Sequence, residues 1–349
     1  MNRIKIFKLL IINGVLLLLF AVSLIGLLNL KGLLQSQRAA ERYAGQSGER
    51  YAQITCFFQQ GEGLSETNIR SFEESLDSKL QEASLEATED RSLWVDAYSM
   101  KGTLTVKGFR GSVTASATGV GGAFFQFHPL RLRSGSYIDS RDLMRDRVVL
   151  DEELAWKLFG SYDVAGMEVS IGGRPYFIAG VIDREDDFAS ARTYSDGPGI
   201  FVSYQTLENA GDALFTCYEV ILPDPISGFA KSLVTDSFQD PNIEIIQNNG
   251  RFELGKIWSL ISGFGDRSIQ SSGIAYPYWE NAARVVEDYM ALLFILTVLI
   301  GLCPFICLSA VIVMLLRKLR GKRAIVLERL GNMKEKITQR HRNRKNTNK

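Results

Sequence analysis

Two uninterrupted apolar stretches, Leu9–Leu30 and Met290–Leu316, stand at opposite ends of the chain, and neither carries an Asp, Glu, Lys or Arg. A helix needs about 20 apolar residues to cross the hydrocarbon core of a bilayer, so each stretch predicts a membrane span. The residues between them have the composition of a folded soluble domain. Ser65-Glu66-Thr67 opens an amphipathic helix with Ile69, Phe72, Leu76, Leu80 and Leu85 at helical spacing. Tyr51–Phe58, Leu93–Tyr98 and Gly102–Val106 read as strands. Farther on, Val148-Val149-Leu150 is a short buried strand. Asp151 is placed to cap the helix Glu152–Phe159, and Gly160 is placed to end it. Met167–Ile171 and Tyr176–Ile182 flank Gly172-Gly173, a hairpin turn that needs positive φ. Ile200–Val202 is a further strand, and a strand–helix–strand series follows at Cys217–Leu222, Pro225–Phe238 and Ile243–Gln247.

This succession predicts an α+β domain between two transmembrane helices: a split βαβ, porter-like layer carrying an inserted β-rich subdomain. The expected boundaries are a cytoplasmic N-terminus 1–8, a span 9–30, a stalk helix 31–50, the first half of the layer 51–140 and the insert 141–211. The second half of the layer is 212–250, followed by a return stalk 251–289, a span 290–316 and a basic tail 317–349. In a βαββαβ layer the first and third strands are neighbours. Pro304 removes the backbone bond to the carbonyl of Ile300 and predicts a kink or local opening in the second span.

Charge gives the orientation. Arg3, Lys5 and Lys8 precede the first span with no acid among them, and residues 317–349 hold 13 Lys/Arg against 2 acids. The positive-inside bias then places both termini in the cytoplasm of a cell-membrane protein. A whole-chain balance of +1 therefore leaves a middle of about −13. A cleaved signal peptide would also begin with a basic segment. The first apolar core, at 22 residues, exceeds the ~7–15 of such a peptide, and a retained span is expected.

Of the four cysteines, Cys56 and Cys217 lie in strands of the outer domain, where an oxidising compartment permits a disulfide. Two buried thiols fit the same positions. Cys303 and Cys307 share one helix face in the middle of the second span, which suits packing better than lipidation. The patterns HExxH, GxSxG and CxxC do not occur, and the outer domain has one histidine, His128, expected to be packed or at the surface rather than catalytic. Gly119-Val120-Gly121-Gly122 is not followed by Gly-Lys-Ser/Thr and does not make a phosphate loop. The acidic run Asp183–Asp187 lacks the ligand alternation of a calcium loop and reads as a solvated surface segment. No enzyme activity, cofactor, metal or nucleic-acid partner is expected.

Phe124–Asp183 resembles the periplasmic core of MacB/FtsX-type ABC permeases. The resemblance rests on Phe125–Leu130 with Leu132–Tyr137, on Arg147–Gly160, on Asp163–Met167 and on Ile171–Val181, four matches in order over one segment. The tail segment Lys322–Met333 resembles the coupling helix with which that family docks on its ATPase. Ile325, Leu327 and Leu330 stand as apolar contacts, Arg323, Glu328 and Arg329 as their charged neighbours, and Gly331 as the stop. Ala324 occupies the position where the family has Glu. The resemblance implies a permease-like subunit of an export or mechanotransmission complex with a separate cytoplasmic ABC ATPase. Family members have four spans, so a second membrane subunit or a homo-oligomer is expected to supply the others. The outer domain would meet a peptide, protein or cell-wall component. An alternative from another class is a tethered binding, sensing or scaffold protein whose basic tail contacts only membrane lipid.

Overall fold

The computed structural model describes all residues except 1–2, 60, 86, 88–91, 140–141, 195–196, 212–213, 264–272 and 347–349; side chains are also left aside at 3, 5–6 and 319–346. The chain forms two compact units, Met1–Leu28 with Leu292–Lys349, and Asn29–Ala291.

The larger unit is built on one ten-stranded sheet: β1 Tyr51–Phe57, β2 Val95–Gly108, β3 Gly111–Gly122, β4 Leu132–Gly135, β5 Arg147–Asp151, β6 Glu168–Ile171, β7 Arg174–Ile182, β8 Gly199–Ser203, β9 Cys217–Pro223 and β10 Glu244–Gln247. Their order is β10-β1-β9-β2-β3-β8-β5-β7-β4, with β6 bridging β2 and β7. The segment β10-β1-β9-β2 is antiparallel throughout. It has the fourth, first, third and second strands of a split βαβ layer side by side, so the expected adjacency of the first and third strands holds in β1 and β9. The helices of this layer are α3 (Glu66–Glu82) and α7 (Phe229–Ser237).

The block predicted as an insert is not a separate sheet. β8 pairs in parallel with β3, and β6 pairs with β2, so residues of 141–211 continue the layer. The cause is the β2–β3 hairpin. The sequence divides it into short pieces at Gly102 and the Thr/Ser-rich segment, yet it is one ladder of 14- and 12-residue strands that reaches beyond the layer and offers β8 an edge. The glycine cluster belongs to β3. A Cβ on Gly121 would lie 1.9 Å from the ring of Tyr98, its direct cross-strand partner.

Local signals behave as the residues predict. Ser65 caps α3 through a reciprocal box with Asn68, and Ile69, Phe72, Leu76 and Leu80 are buried. The Asp151 side chain accepts from the Leu154 N–H at 2.7 Å to start α5 (Glu152–Phe159), and Gly160 ends it at φ +73°. Gly172 and Gly173 turn the β6–β7 hairpin at φ +58° and +82°.

Two expectations about the ends are corrected. The stalk after the first apolar helix, α1 (Arg3–Lys31), is not one helix; it breaks at Gly32, makes a 3-10 turn over Gln35–Arg38, and resumes as the short α2 (Ala39–Ala44) before Gly45 at φ +56°. At the other end, the sheet is followed by the short α8 (Leu254–Ser262). From Tyr278 through the second span and the tail to Asn346 the backbone is then a single helix, α9, in which Pro304 and Gly331 are interior positions. Gly331 is therefore not a stop. One glycine costs a helix only about 1 kcal/mol, and the neighbouring Leu330, Met333, Lys334 and Glu335 are strong helix formers.

Candidate functional site: a buried ionic junction at the root of the second span

The two faces of the sheet are both covered. α3, α5, α7 and the short α6 (Tyr204–Glu208) pack on one, against Ile54, Cys56, Val220 and Leu222. On the other face, β1 presents Tyr51, Gln53, Thr55 and Phe57, and β9 presents Cys217, Glu219 and Ile221. Against them lie Ala39 and Ala40 of the stalk, the one-turn helix α4 (Phe124–Phe127) and Trp279. Polar residues at alternate positions ordinarily mark a wet face. Here they are sealed in: Gln53 and Thr55 have no exposed surface, and Glu219 is 2% exposed.

Their hydrogen bonds form a continuous network, as burial demands. Thr55 and Glu219 are cross-strand partners, with Thr55 Oγ1 3.3 Å from Glu219 Oε1. His128 Nε2 lies 2.5 Å from Glu219 Oε2, its ring packed between Phe124 and Trp279. The Gln53 amide ties the stalk to the sheet: its Nε2 donates to the Ser36 carbonyl at 2.9 Å and its Oε1 accepts from the Ala39 N–H at 3.1 Å. Thr55 Oγ1 also donates to Asn248 Oδ1 at 2.8 Å, and Asn248 Nδ2 donates to Gln37 Oε1.

Gln37 is shared with the charged half of the junction. Arg251 Nη1 donates to Gln37 Oε1 at 3.0 Å and to Glu280 Oε2 at 2.8 Å, its Nη2 donates to Glu280 Oε1 at 3.1 Å, and its Nε donates to Glu287 at 2.8 Å. Glu280 also accepts from Arg284 Nε at 2.9 Å, and Arg284 reaches Glu244 of β10 at 2.7 Å while stacking over Tyr276 at 3.9 Å. Glu280, Arg284 and Glu287 occupy one face of the first turns of α9, one turn before the apolar run begins at Met290. Burial alone would lower the pKa of Arg251; the Glu280 and Glu287 carboxylates more than offset it and hold the guanidinium's pKa above its usual value. The described charged side chains of this junction are tied to one another rather than turned to solvent. Its chemistry is that of a clamp: removing one partner strands a buried charge, at about 3–5 kcal/mol.

In the smaller unit, α1 and α9 pack along a seam spaced three and four residues apart. Ser23 Oγ hydrogen-bonds Thr297 Oγ1, Phe20 meets Phe305 edge-on with ring centroids 5.4 Å apart, and a Cβ on Gly301 would lie 3.1 Å from Phe20. Pro304 is buried in this seam. Small and hydroxylated residues that let two helices approach closely are what membrane packing uses.

The other residues singled out by sequence fall as follows. Arg323, Ile325, Leu327, Glu328, Arg329, Leu330 and Gly331 lie on the helical backbone of α9, and their side chains are outside those described. Cys56 and Cys217 are both buried and both free. They sit on paired strands, but Cys56 stands opposite Tyr218 and Cys217 opposite Phe57, which puts the two thiols on opposite faces of the sheet. A disulfide between them is excluded by the pleat. Cys303 is exposed on α9 and Cys307 half-exposed, so neither is a packed core residue among the described ones. Asp183–Asp187 is half-buried rather than a solvated loop. Asp183 pairs with Arg131 and Arg133, while Arg184 holds Asp151 through its Nε at 2.8 Å, behind the cap of α5. Burial raises the pKa of Asp151, against the opposing pull of Arg184.

Sequence reasoning missed the junction. A signal for it existed in the i, i+4 and i+7 spacing of Glu280, Arg284 and Glu287, and in polar residues placed within the otherwise apolar strands YAQITCF and CYEVILP.

Residues 11–226 match the family model described as the MacB-like periplasmic core domain. Among curated proteins, the macrolide export ATP-binding/permease protein MacB of Neisseria gonorrhoeae is 33% identical over 91 residues, and that of Agrobacterium fabrum is 35% identical over 92. Either alignment takes in 26% of this chain and 14% of the relative, so the match spans about one seventh of those longer proteins. Among solved structures, the periplasmic region of MacB from Actinobacillus actinomycetemcomitans aligns over 60% of this chain and 92% of its own at 17% identity and a TM-score of 0.42. The extracellular domain of the noncanonic ABC-type transporter YknZ from Gram-positive bacteria aligns over 56% and 99% at 14% identity and a TM-score of 0.38.

Proposed function

This chain belongs to the MacB-like periplasmic core domain family, and on that footing we propose that it is a membrane permease-like subunit which couples a separate cytoplasmic ABC ATPase to its extracytoplasmic domain. The observation that carries the reading is the Arg251–Glu280–Arg284–Glu287 cluster. It fixes the start of α9, the helix that continues into the second apolar span, to β10 and, through Gln37, Asn248 and Thr55, to the stalk and the centre of the sheet. A helix held by a buried ionic clamp cannot tilt or turn independently of the sheet without stranding charge, so displacement of its far end becomes displacement of the outer domain. The tail Arg323–Gly331 would take the push from the ATPase, and the basic end would face the cytoplasm. Two discrete states with different contacts are what such coupling requires. A second membrane subunit or a second copy would accompany it in the membrane, and the outer domain would act on an extracytoplasmic peptide, protein or wall component.

The test is co-purification of the co-expressed ABC ATPase with the full chain, in the wild type and with Leu327→Asp and Leu330→Asp together. Loss of the ATPase in the double variant, with unchanged melting of the outer domain, supports coupling through the tail. Retention of the ATPase, or full function after deletion of 321–349, supports instead the tethered binding module.

A further inference from the structure

The helix α8 is apolar over more of its circumference than the domain covers. At 3.6 residues per turn, Leu260, Ile257, Ile261, Leu254 and Trp258 fall side by side on one arc of about 160°. Lys256 and Ser259 stand on the opposite side and are exposed. Ile257 has no exposed surface, and Leu260 and Ile261 are half-buried. Leu254 and Trp258, at the edge of the same arc, are 46% and 60% exposed. Single exposed apolar residues are ordinary. A leucine and a tryptophan one turn apart that prolong a buried stripe are not scattered in that way; they widen one continuous apolar face.

The contacts of α9 give the level at which this face lies. Glu287 stands three residues before Met290, about 4.5 Å along the helix from the start of the apolar run. Arg251 Nε donates to Glu287 at 2.8 Å, and Leu254 follows Arg251 by three residues, a reach of no more than about 10 Å. The start of α8 is therefore held close to the point where α9 turns apolar. Tyr289, the last residue before that run, marks the same level. It is exposed, its hydroxyl accepts from Arg192 Nη1 at 2.8 Å, and Phe188 meets its ring edge-on. Tyrosine beside arginine at the end of an apolar helix is the pairing that anchors a chain at a membrane boundary.

We infer that α8 lies in the boundary between head groups and acyl chains of the leaflet on the sheet's side, with Leu254 and Trp258 turned into lipid and Lys256 and Ser259 toward water. Interfacial helices sink such a face about 5–10 Å into that boundary, and tryptophan is enriched at that depth. The inference goes beyond ATPase coupling: it needs the apolar run of α9 to cross the bilayer, and no second protein.

The experiment is electron paramagnetic resonance of the full chain, reconstituted alone in palmitoyl-oleoyl phosphatidylcholine vesicles. Cys303 and Cys307 are replaced by alanine, Cys56 and Cys217 being buried, and a nitroxide is placed on Leu254→Cys or on Lys256→Cys. Oxygen concentrates in hydrocarbon and a water-soluble nickel chelate stays outside it, so the ratio of oxygen to chelate relaxation should be about threefold or more higher at 254 than at 256. Equal ratios at the two positions would place the helix in water. Low access of both reagents at 254 would place it against protein, a second copy included. Either result overturns the proposal. A reading without a label comes from dibrominated phosphatidylcholine, which should quench the tryptophan fluorescence of the wild type more than that of Trp258→Phe; equal fractional quenching of the two would also overturn it. Because no ATPase is present, neither outcome depends on the co-purification result.

Discussion

The guanidinium of Arg251 and the carboxylate of Glu280, 29 residues apart in the chain, meet through two hydrogen bonds of 2.8 and 3.1 Å at a site where Glu280 has no exposed surface. Two charges taken out of water contribute little net stability as a pair, but either one alone is strongly destabilising. The arrangement therefore acts less as glue than as a constraint on what α9 can do relative to the sheet.

Arg251→Met is expected to lower the stability of the outer domain by about 3–5 kcal/mol, since Glu280 keeps Arg284 but both buried carboxylates lose the guanidinium that bridges them. Arg251→Met with Glu287→Leu should recover part of that loss. Thermal melts of the two variants in detergent check this, and equal destabilisation by the single and double variants would show that the charges are not coupled.

Gly121→Ala should destabilise the chain by about 3 kcal/mol, because the new methyl would sit inside the Tyr98 ring and the ladder allows neither strand to retreat. Tyr98→Leu added to it should relieve most of the effect. Circular dichroism melts of the pair decide whether the contact is as close as the register implies.

Cys56 and Cys217 should remain thiols even under oxidising conditions. Burial raises the pKa of both, with Glu219 adding to it, so maleimide labelling of either is expected only after denaturation. Non-reducing electrophoresis of the isolated protein should show no intrachain bridge, and dithiothreitol should leave its melting temperature unchanged.

Asp96, buried beside Glu73 and accepting from the Tyr218 hydroxyl at 3.0 Å, has its pKa pushed up to about 7 by burial and then by the Glu73 charge. The folded state thus holds a proton that the unfolded chain releases near its ordinary value of 3.8. This contribution to stability is full below about pH 4 and is lost as pH rises toward 7. Asp96→Asn should flatten that slope and raise stability at pH 8 by roughly 1–2 kcal/mol. Each pH unit between the folded and unfolded values is worth about 1.4 kcal/mol, and the cost of burying the new amide offsets part of the gain. A melting temperature of the variant that tracks the wild type from pH 4 to 8 would contradict the assignment.

The elements that were legible in the sequence are those whose signals are local. Ser65 with Asn68, Asp151 with Gly160, and Gly172 with Gly173 each fix a boundary through atoms a few residues away, and the strand–helix–strand order gave the adjacency of β1 and β9. What escaped depends on contacts between distant segments. Gly102 and the Thr/Ser run disguise a long hairpin because β-propensity weighs side chains, whereas cross-strand partners such as Tyr98 over Gly121 decide the pairing. Gln53, Thr55 and Glu219 are sealed in only by the stalk and Trp279, contacts that no local pattern announces. The cysteines looked bondable because their strands are neighbours, and only the one-residue offset in register turns them to opposite sides. The tail's stop at Gly331 failed because one weak residue among strong helix formers does not end a helix.

Everything proposed for α9 requires that the sheet and the basic tail lie on opposite sides of the membrane. With Cys303 and Cys307 replaced by alanine, a membrane-impermeant maleimide applied to intact cells or spheroplasts should label Glu168→Cys, an exposed position on β6. It should label Arg329→Cys only after the membrane is permeabilised. Labelling of both positions from the same side would contradict the account.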